Sequence, residues 1–347
     1  MKGVVFTAVG AEPKVVDDLP VPVPGPDQVL VKSIWTAINP VDAFMSQYGL
    51  LVVDWPLVLG VDAAGVITDC GNEATEKYGL EAGDEVFGCT RLGSKGYSAG
   101  QQYFLMDARV TIPKPKNISL VEAATLGVGV ETACLGLFEG LKIAFPDPKN
   151  LPSASDEWVV ILGGASSVGK AAIQIAKACG YNVVASCSDK SSSVVKELGA
   201  VPFDYKVPLE QQVKEVLDIT SGRASRVYDA VGSDDPAICK ELFKATQATD
   251  KRFATTNDWN PAIEDFEGGT TYKVKLGEVG RPEGKELNDN IEKYIPLIVT
   301  LIETDQLKPS EYEVIGQGGF DDAVKAYHHQ VSGAGGSRKV LVKIQDP

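Results

Sequence analysis

Residues 161–180, ILGGASSVGKAAIQIAKACG, decide the fold of this chain. An apolar run of the kind found in buried strands ends in a Gly/Ser turn, and helical spacing of apolar residues begins near Ser167. This pattern predicts the first strand, turn and helix of a βαβ unit. Gly163 and Gly164 allow a tight turn, and Gly169 allows the helix to pack closely on the strand.

Serines stand in this turn where a dinucleotide-binding fingerprint often has a glycine. Ser166 and Ser167 keep their backbone N–H groups and add two hydroxyls at a predicted helix N-terminus. The free N–H groups and the helix dipole at such a site favour a phosphate. The turn therefore predicts nucleotide binding, and a strand–turn–helix corner without a ligand is the alternative.

The remainder of the chain divides into two patterns. Up to about residue 125, short β-type runs alternate with Pro- and Gly-rich turns. From residue 158, strand-like and helix-like segments alternate, which predicts a parallel sheet. A helix and a strand at the C-terminal end follow, and the last strand is expected to join the sheet of the first domain. The predicted fold class is α/β, with a doubly wound parallel sheet and a second, β-rich domain.

The segment SCSDKS, residues 186–191, lies at the end of the second predicted parallel strand. An acidic residue at this place binds the ribose 2′-OH of NAD. Ser188 and Lys190 instead suit a 2′-phosphate. Asp189 argues the other way, and we expect it to point away from the ligand. The segment favours NADPH over NADH.

Composition and charge narrow the classes of partner. The 347 residues are 44% hydrophobic and 23% charged, and the net charge is −14. An acidic chain is not expected to bind nucleic acid or an anionic membrane. The six cysteines are scattered and no apolar run reaches membrane-spanning length, so we expect a cytoplasmic protein.

Several segments together resemble the zinc-independent medium-chain dehydrogenase/reductase superfamily. They are NPVD (39–42), GVDAAGVI (60–67), GDEVFG (83–88), AATLGVGVETA (123–133), GGASSVGKAAIQIAKACG (163–180) and LGAVPFDY (198–205). Within the superfamily, LGVGVETA, GGASSVG and CSDKS look most like fungal trans-acting enoyl reductases of the lovastatin-pathway type. The resemblance implies a GroES-like substrate domain from residues 1–125 and 300–347, and a Rossmann NADPH-binding domain from residues 126–299.

The resemblance also implies roles for particular residues. The expected catalytic residues are Thr132, Asn39 and Asp42. The expected cofactor-binding residues are Asn39, Pro40, Val41, Asp42, Ser166, Ser167, Val168, Gly169, Ser188, Asp189, Lys190, Ser191, Tyr205, Val231, Gly232, Arg338 and Lys339. The expected substrate segment is Thr125, Leu126, Gly127, Val128, Gly129, Val130, Glu131 and Thr132.

No metal is expected at the position where zinc-dependent relatives bind theirs. Their early cysteine is Asn39 here, and their His–Glu pair is Val61 and Asp62. Zinc needs about four N, S or O ligands. The two histidines, His328 and His329, are adjacent on a predicted C-terminal helix and are expected at the surface.

Without zinc, the resemblance implies hydride transfer to the β-carbon of an α,β-unsaturated carbonyl, with hydrogen bonds on the enolate oxygen. The α-carbon then takes a proton, which Tyr, Lys, Asp or water could supply, and no dedicated acid is visible. Some relatives carry a lysine where this chain has Phe44. The implied substrate is a free or carrier-bound enoyl compound, with a polyketide synthase as partner. The alternatives are a quinone or 2-alkenal reductase, a redox-neutral isomerase or cyclase, and a cofactor-binding protein without turnover. Both a monomer and a homodimer fit the resemblance.

Overall fold

The chain divides into two units, and its path passes between them four times. A computed structural model describes residues 1–347. Unit 1 comprises Met1–Val128, Leu276–Ile295 and Pro309–Pro347. Unit 2 comprises Gly129–Lys275 and Pro296–Lys308.

The N-terminal part of unit 1 is built mostly from strands. The strands are β1 (Gly3–Phe6), β2 (Lys14–Val16), β3 (Gln28–Ile38), β4 (Leu57–Val58), β5 (Asp62–Cys70), β6 (Glu85–Cys89), β7 (Tyr103–Asp107) and β8 (Ile112–Pro113). The helices are α1 (Pro40–Tyr48), α2 (Asn72–Tyr78) and α3 (Leu120–Ala123).

Unit 2 begins inside a helix and then alternates strands with helices. The helices are α4 (Gly127–Cys134), α5 (Ser167–Ala178), α6 (Ser192–Glu197), α7 (Leu209–Thr220) and α8 (Ala237–Ala245). The strands are β9 (Trp158–Leu162), β10 (Asn182–Cys187), β11 (Val201–Asp204), β12 (Arg226–Asp229), β13 (Arg252–Thr255) and β14 (Thr270–Lys273). A π-helical stretch, Leu135–Gly140, directly follows α4.

The C-terminal elements are α9 (Lys285–Glu303), β15 (Tyr312–Val314), α10 (Phe320–Val331) and β16 (Lys339–Lys343). In unit 1, β16 pairs antiparallel with β3, with Val340 opposite Ile38. The expectation that the last strand joins the first domain's sheet is confirmed. The seven-stranded sheet runs β15-β16-β3-β5-β6-β8, with β7 also paired to β3, and β2-β1-β4 form a smaller sheet.

Unit 2 contains a six-stranded parallel sheet in the order β11-β10-β9-β12-β13-β14. This is the strand order of a doubly wound dinucleotide-binding fold. The order reverses between β9 and β12, and ligands of such sheets bind outside the carboxyl ends of the strands at that point. Buried side chains of β9, β12 and β13, among them Val160, Val227 and Phe253, form the core beneath it. The predicted α/β class with a Rossmann domain is confirmed.

The observed units differ from the expected domains in the segment between residues 276 and 308. Residues 276–295 belong to unit 1, where Arg91 donates a 2.7 Å hydrogen bond to the carbonyl of Gly280. Residues 296–308 belong to unit 2, where the amide of Lys308 donates to Gln174 at 2.9 Å. Both long-range bonds agree with this division. No helix is both long and apolar enough to cross a membrane.

Candidate functional site

The turn between β9 and α5 is fixed by the end of β10. The amide of Gly163 donates to the hydroxyl of Ser186 at 2.8 Å, and the amide of Gly164 donates to the carbonyl of Ser186 at 2.8 Å. Gly163 has a φ of 79°, which favours glycine. Ser186 therefore shapes the turn and has its hydroxyl engaged within the protein.

The first turn of α5 leaves two amides without an acceptor in the chain. Ser166 caps the helix, because its hydroxyl accepts a 3.0 Å hydrogen bond from the amide of Gly169 and its carbonyl accepts one from Lys170. The next two amides, of Ser167 and Val168, make no hydrogen bond. A helix N-terminus with free amides attracts an anion. This is the arrangement that a pyrophosphate group fits.

Two glycines allow the segments around this turn to pack closely together. A Cβ atom on Gly169 would lie 2.2 Å from the carbonyl oxygen of Gly163. A Cβ atom on Gly163 would lie 2.2 Å from a methyl of Val231, in the loop after β12. Larger residues at either position would push α5 or that loop away from the strand ends.

The residues predicted to bind the 2′-phosphate lie together at the end of β10. Asp189–Ser191 form a short 3₁₀ turn after Ser188, and the hydroxyls of Ser188 and Ser191 are 3.3 Å apart. Asp189 and Lys190 are exposed. The parallel register places Asp204 beside Cys187, and Tyr205, which is 53% exposed, directly follows Asp204 at the end of β11. Hydroxyls, a lysine and a phenol thus share one edge of the sheet.

The loop after β12 is held by a buried carboxylate. Asp229 accepts hydrogen bonds from the amides of Val231 and Ser233 at 3.2 and 2.7 Å and from the hydroxyl of Thr255 at 3.0 Å. Val231 is 54% exposed, and Gly232 has a φ of 68°. The loop therefore presents an apolar side chain and a glycine beside the switch point.

Two residues that the sequence analysis did not single out also shape this loop. The buried amide of Asn257 donates to the carbonyls of Gly232 and Ser233 at 3.2 Å. Trp259 is 50% exposed, and its ring would lie 3.2 Å from a Cβ atom on Gly232. Both follow β13, so the position after the next parallel strand was the signal that could have identified them.

In unit 1, the predicted residues Asn39 and Lys339 meet around Asp62 in a buried polar network. The ammonium of Lys339 lies 2.7 Å from Asp62 and donates to the side-chain oxygen of Asn39 at 2.6 Å. The side-chain amide nitrogen of Asn39, Nδ2, donates to the carboxylate of Asp62 at 2.9 Å. The second oxygen of Asp62 accepts a 2.6 Å hydrogen bond from the amide of Val128. Every polar atom of these three side chains is engaged within the unit.

Asp42 holds the start of α1 and the turn before β5. Its two oxygens accept from the amides of Asn39 at 2.8 Å and Gly60 at 3.0 Å. Burial raises the pKa of Asp42 to about 7, against the lowering effect of those two amides; the nearby Asp62 raises it further and Lys339 lowers it. Pro40 is exposed and Val41 is half-buried on the same turn.

The donors around Asp62 are an amide and an ammonium group, and neither is a usual ligand for zinc. No group of three or more His, Cys, Asp or Glu side chains is placed to hold a metal ion. His328 is exposed, and His329 contacts Glu313, which also pairs with the half-exposed Arg338.

The expected substrate segment is mostly buried. In unit 1, the hydroxyl of Thr125 donates to the carbonyl of Glu122 at 2.7 Å and accepts from the amide of Ser310 at 3.1 Å, so it has a structural role. In unit 2, Glu131 is fully buried, and the carbonyl of Thr132 accepts a 2.8 Å hydrogen bond from the phenol of Tyr228. Leu126 and Val130 are buried, while Gly127, Val128 and Gly129 form the first turn of α4.

Comparison with known proteins agrees with this architecture. Residues 25–116 match the family model described as the alcohol dehydrogenase GroES-like domain. Trans-enoyl reductase tazE of Aspergillus terreus is 35% identical over 219 residues, which cover 61% of this chain and 67% of that protein. The lovastatin nonaketide synthase enoyl reductase component lovC of Aspergillus terreus is 27% identical over 94% of this chain and 92% of its own length.

The chain spans 57% of the length of two Aspergillus niger dehydrogenases, which it matches at 34% identity. An alcohol dehydrogenase superfamily protein from Novosphingobium aromaticivorans has a similar structure, with a TM-score of 0.77 and 24% identity. The two structures cover 99% of this chain and 100% of that one, which shows a common fold.

Proposed function

The chain belongs to the medium-chain dehydrogenase/reductase superfamily, and from this premise we propose that it is an NADPH-dependent, zinc-free reductase of activated C=C bonds. The substrate proposed is an enoyl thioester of a polyketide, presented by a synthase partner in the cytoplasm. Two of the relatives bear the names trans-enoyl reductase and enoyl reductase component of a polyketide synthase, which supports this choice.

The pair of free amides at the start of α5 is the observation that carries the cofactor proposal. Ser167 and Val168 would donate to the pyrophosphate, at the point where the strand order of unit 2 reverses. Ser188, Lys190 and Tyr205 would surround the 2′-phosphate. The glycines at positions 163 and 169 let α5 and the loop after β12 pack closely against the strand ends beside this position. When bound, NADPH would supply a hydride to the β-carbon of the substrate, and the α-carbon would take a proton from water or from a Tyr, Lys or Asp side chain.

Residues of this chain would stabilise the enolate that forms by donating hydrogen bonds to its oxygen. A hydrogen-bond donor on the developing oxygen lowers the barrier most when it is fixed beforehand. We assign that task to Thr132 or to a backbone amide of its helix. Asn39 and Asp42 would act by holding residues 39–42 in place, because their side-chain hydrogen bonds are all made within unit 1.

The proposal is tested by following the absorbance of NADPH with a panel of crotonyl thioester, enones and quinones. We expect oxidation with the thioester and a product heavier by two hydrogens. Turnover with quinones alone would favour the quinone reductase alternative. A changed substrate without NADPH oxidation would favour an isomerase or cyclase, and no reaction with any compound would contradict the reductase proposal.

A synthase partner is tested separately from catalysis. The same enoyl group is offered on a free thioester and on a carrier protein. A kcat/KM that rises at least ten-fold on the carrier would support the trans-acting role. Equal values would favour a reductase of free small molecules.

A further inference from the structure

Tyr228 connects the central strand of unit 2 to the helix that carries Thr132. It lies in β12 with its ring fully buried, between Ile161 of β9 and Ala254 of β13 in the sheet register. Its phenol donates a 2.8 Å hydrogen bond to the main-chain carbonyl of Thr132. Because the sheet fixes the position of the ring, this bond ties the helix to one place on the sheet.

The helix is shaped to receive this phenol. A Cβ atom on Gly136 would lie 2.3 Å from the ring and 2.6 Å from the phenol oxygen, so only glycine admits Tyr228 here. The π-helical stretch, Leu135–Gly140, begins three residues after Thr132. A side chain that donates a hydrogen bond to a helical carbonyl competes with the backbone N–H that would otherwise bond to that carbonyl in the i→i−4 pattern. π-helical bulges within α-helices are frequent at functional sites. The phenol therefore lies where α4 changes to the wider helix.

The same helix lies against one predicted cofactor loop of unit 2, and β12 holds the other. A Cβ atom on Gly129 would lie 3.2 Å from the carbonyl oxygen of Ser167, in the turn with the free amides. Asp229, the residue after Tyr228, holds the loop at Val231. Successive residues of a strand face opposite sides. Two successive residues of β12, Tyr228 and Asp229, thus fix the position of the helix that carries Thr132 and of a predicted cofactor loop.

We propose that Tyr228 is a positioning residue, which acts through the carbonyl of Thr132 to hold that residue at the reacting end of the substrate. The inference rests on the function proposed above. A displacement of about 1 Å in a catalytic group can lower a rate about a hundred-fold. The phenol is a fixed donor on the main chain, so its loss would loosen the helix without altering the ring packing.

The variant Tyr228→Phe tests this, because it removes only the hydroxyl. We expect kcat with an enoyl thioester to fall at least ten-fold, while KM and the Kd of NADPH stay within two-fold of wild type. Tyr97→Phe is the matched control, since Tyr97 is also buried and its hydroxyl also has one partner, Gln28 in unit 1. It should lose stability similarly and keep kcat.

A double-mutant cycle with Thr132→Val separates positioning from general loosening. If Tyr228 acts through Thr132, adding Tyr228→Phe to Thr132→Val lowers kcat no further. Additive losses, or wild-type kcat in Tyr228→Phe, would overturn the inference. Amide hydrogen exchange over residues 132–140 should be faster in Tyr228→Phe. A wild-type enzyme without activity would contradict the proposed function and not the positioning role. In that case the hydrogen-exchange measurement alone tests the contact, and unchanged exchange over residues 132–140 in Tyr228→Phe would overturn it.

Discussion

The ammonium of Lys339 lies 2.7 Å from the carboxylate of Asp62, and both side chains are almost completely buried. One residue begins the last strand of the chain and the other begins β5. The side chain of Asn39 accepts a hydrogen bond from Lys339 and donates one to Asp62, so the three side chains form a closed network. Burial of either charge alone would be strongly unfavourable, so each of the two side chains requires the other as its partner.

Removal of one charge from this pair should destabilise unit 1 strongly. We expect Lys339→Met to lower the free energy of unfolding by about 3–5 kcal/mol, because Asp62 is left as an uncompensated buried charge. The double variant Lys339→Met/Asp62→Asn should recover part of the loss. Urea denaturation measures both. Lys214→Met, at an exposed pair with Asp218, is the control and should leave stability nearly unchanged, because exposed ion pairs contribute little. An equally small effect at Lys339 would refute the argument.

The local parts of the architecture could be predicted from sequence, and the network could not. The turn after β9 and the alternation after residue 158 follow from neighbours in the chain, which composition and spacing reveal. The hydrogen bond between Lys339 and Asn39 could not be predicted from the sequence, because the two residues lie 300 positions apart. The prediction that Lys339 reaches the cofactor remains untested, but its ammonium is engaged by Asp62 and Asn39. The observed units also differ from the expected domains at residues 276–295, where the bond of Arg91 to Gly280 joins segments distant in sequence.

Stability should depend on pH through Asp42. Its pKa is about 7 in the folded protein against an ordinary 3.8, so the folded state binds the proton more tightly. The stabilisation from this group is complete below pH 4 and is lost as the pH rises to about 7. The difference between the folded and unfolded pKa values corresponds to a change of roughly 4 kcal/mol in the free energy of unfolding across this pH range. Relative to Asp42→Asn, the wild type should therefore lose stability between pH 4 and 7, which urea midpoints at several pH values measure.

Asp322 provides a control of opposite sign for this pH dependence. Lys325 and the amides of Gln317 and Gly318 lower its pKa, so its stabilisation is lost as the pH falls through the acid range. The wild type should gain stability over Asp322→Asn as the pH rises through the acid range. If both aspartates gave the same sign, burial of Asp42 would not be the cause.

Selectivity for NADPH should depend on Lys190. We expect Lys190→Ala to raise the Kd of NADPH about ten-fold and to leave that of NADH unchanged, because one charge-assisted bond to the 2′-phosphate is lost. Fluorescence titration with both cofactors measures this. Lys196→Ala, an exposed lysine on α6, is the matched control and should change neither Kd. Since Lys190 is exposed, the difference should shrink at high salt. Unchanged selectivity in Lys190→Ala would defeat the assignment of this edge to the 2′-phosphate.

The close approach of α5 to β9 should make Gly169 indispensable for cofactor binding. A Cβ atom there would meet the carbonyl oxygen of Gly163 at 2.2 Å and the Cα of Gly164 at 2.9 Å, so the backbone must move. We expect Gly169→Ala to destabilise unit 2 by about 1–3 kcal/mol and to weaken NADPH binding, because the amides of Ser167 and Val168 move with the helix. Gly222→Ala is the control: its φ of 76° strains an alanine by about 1–2 kcal/mol, but no atom lies within 4 Å of the new Cβ. Gly222→Ala should therefore lose stability and keep the Kd of NADPH. If Gly169→Ala bound NADPH as tightly as Gly222→Ala does, the start of α5 would not be the pyrophosphate site.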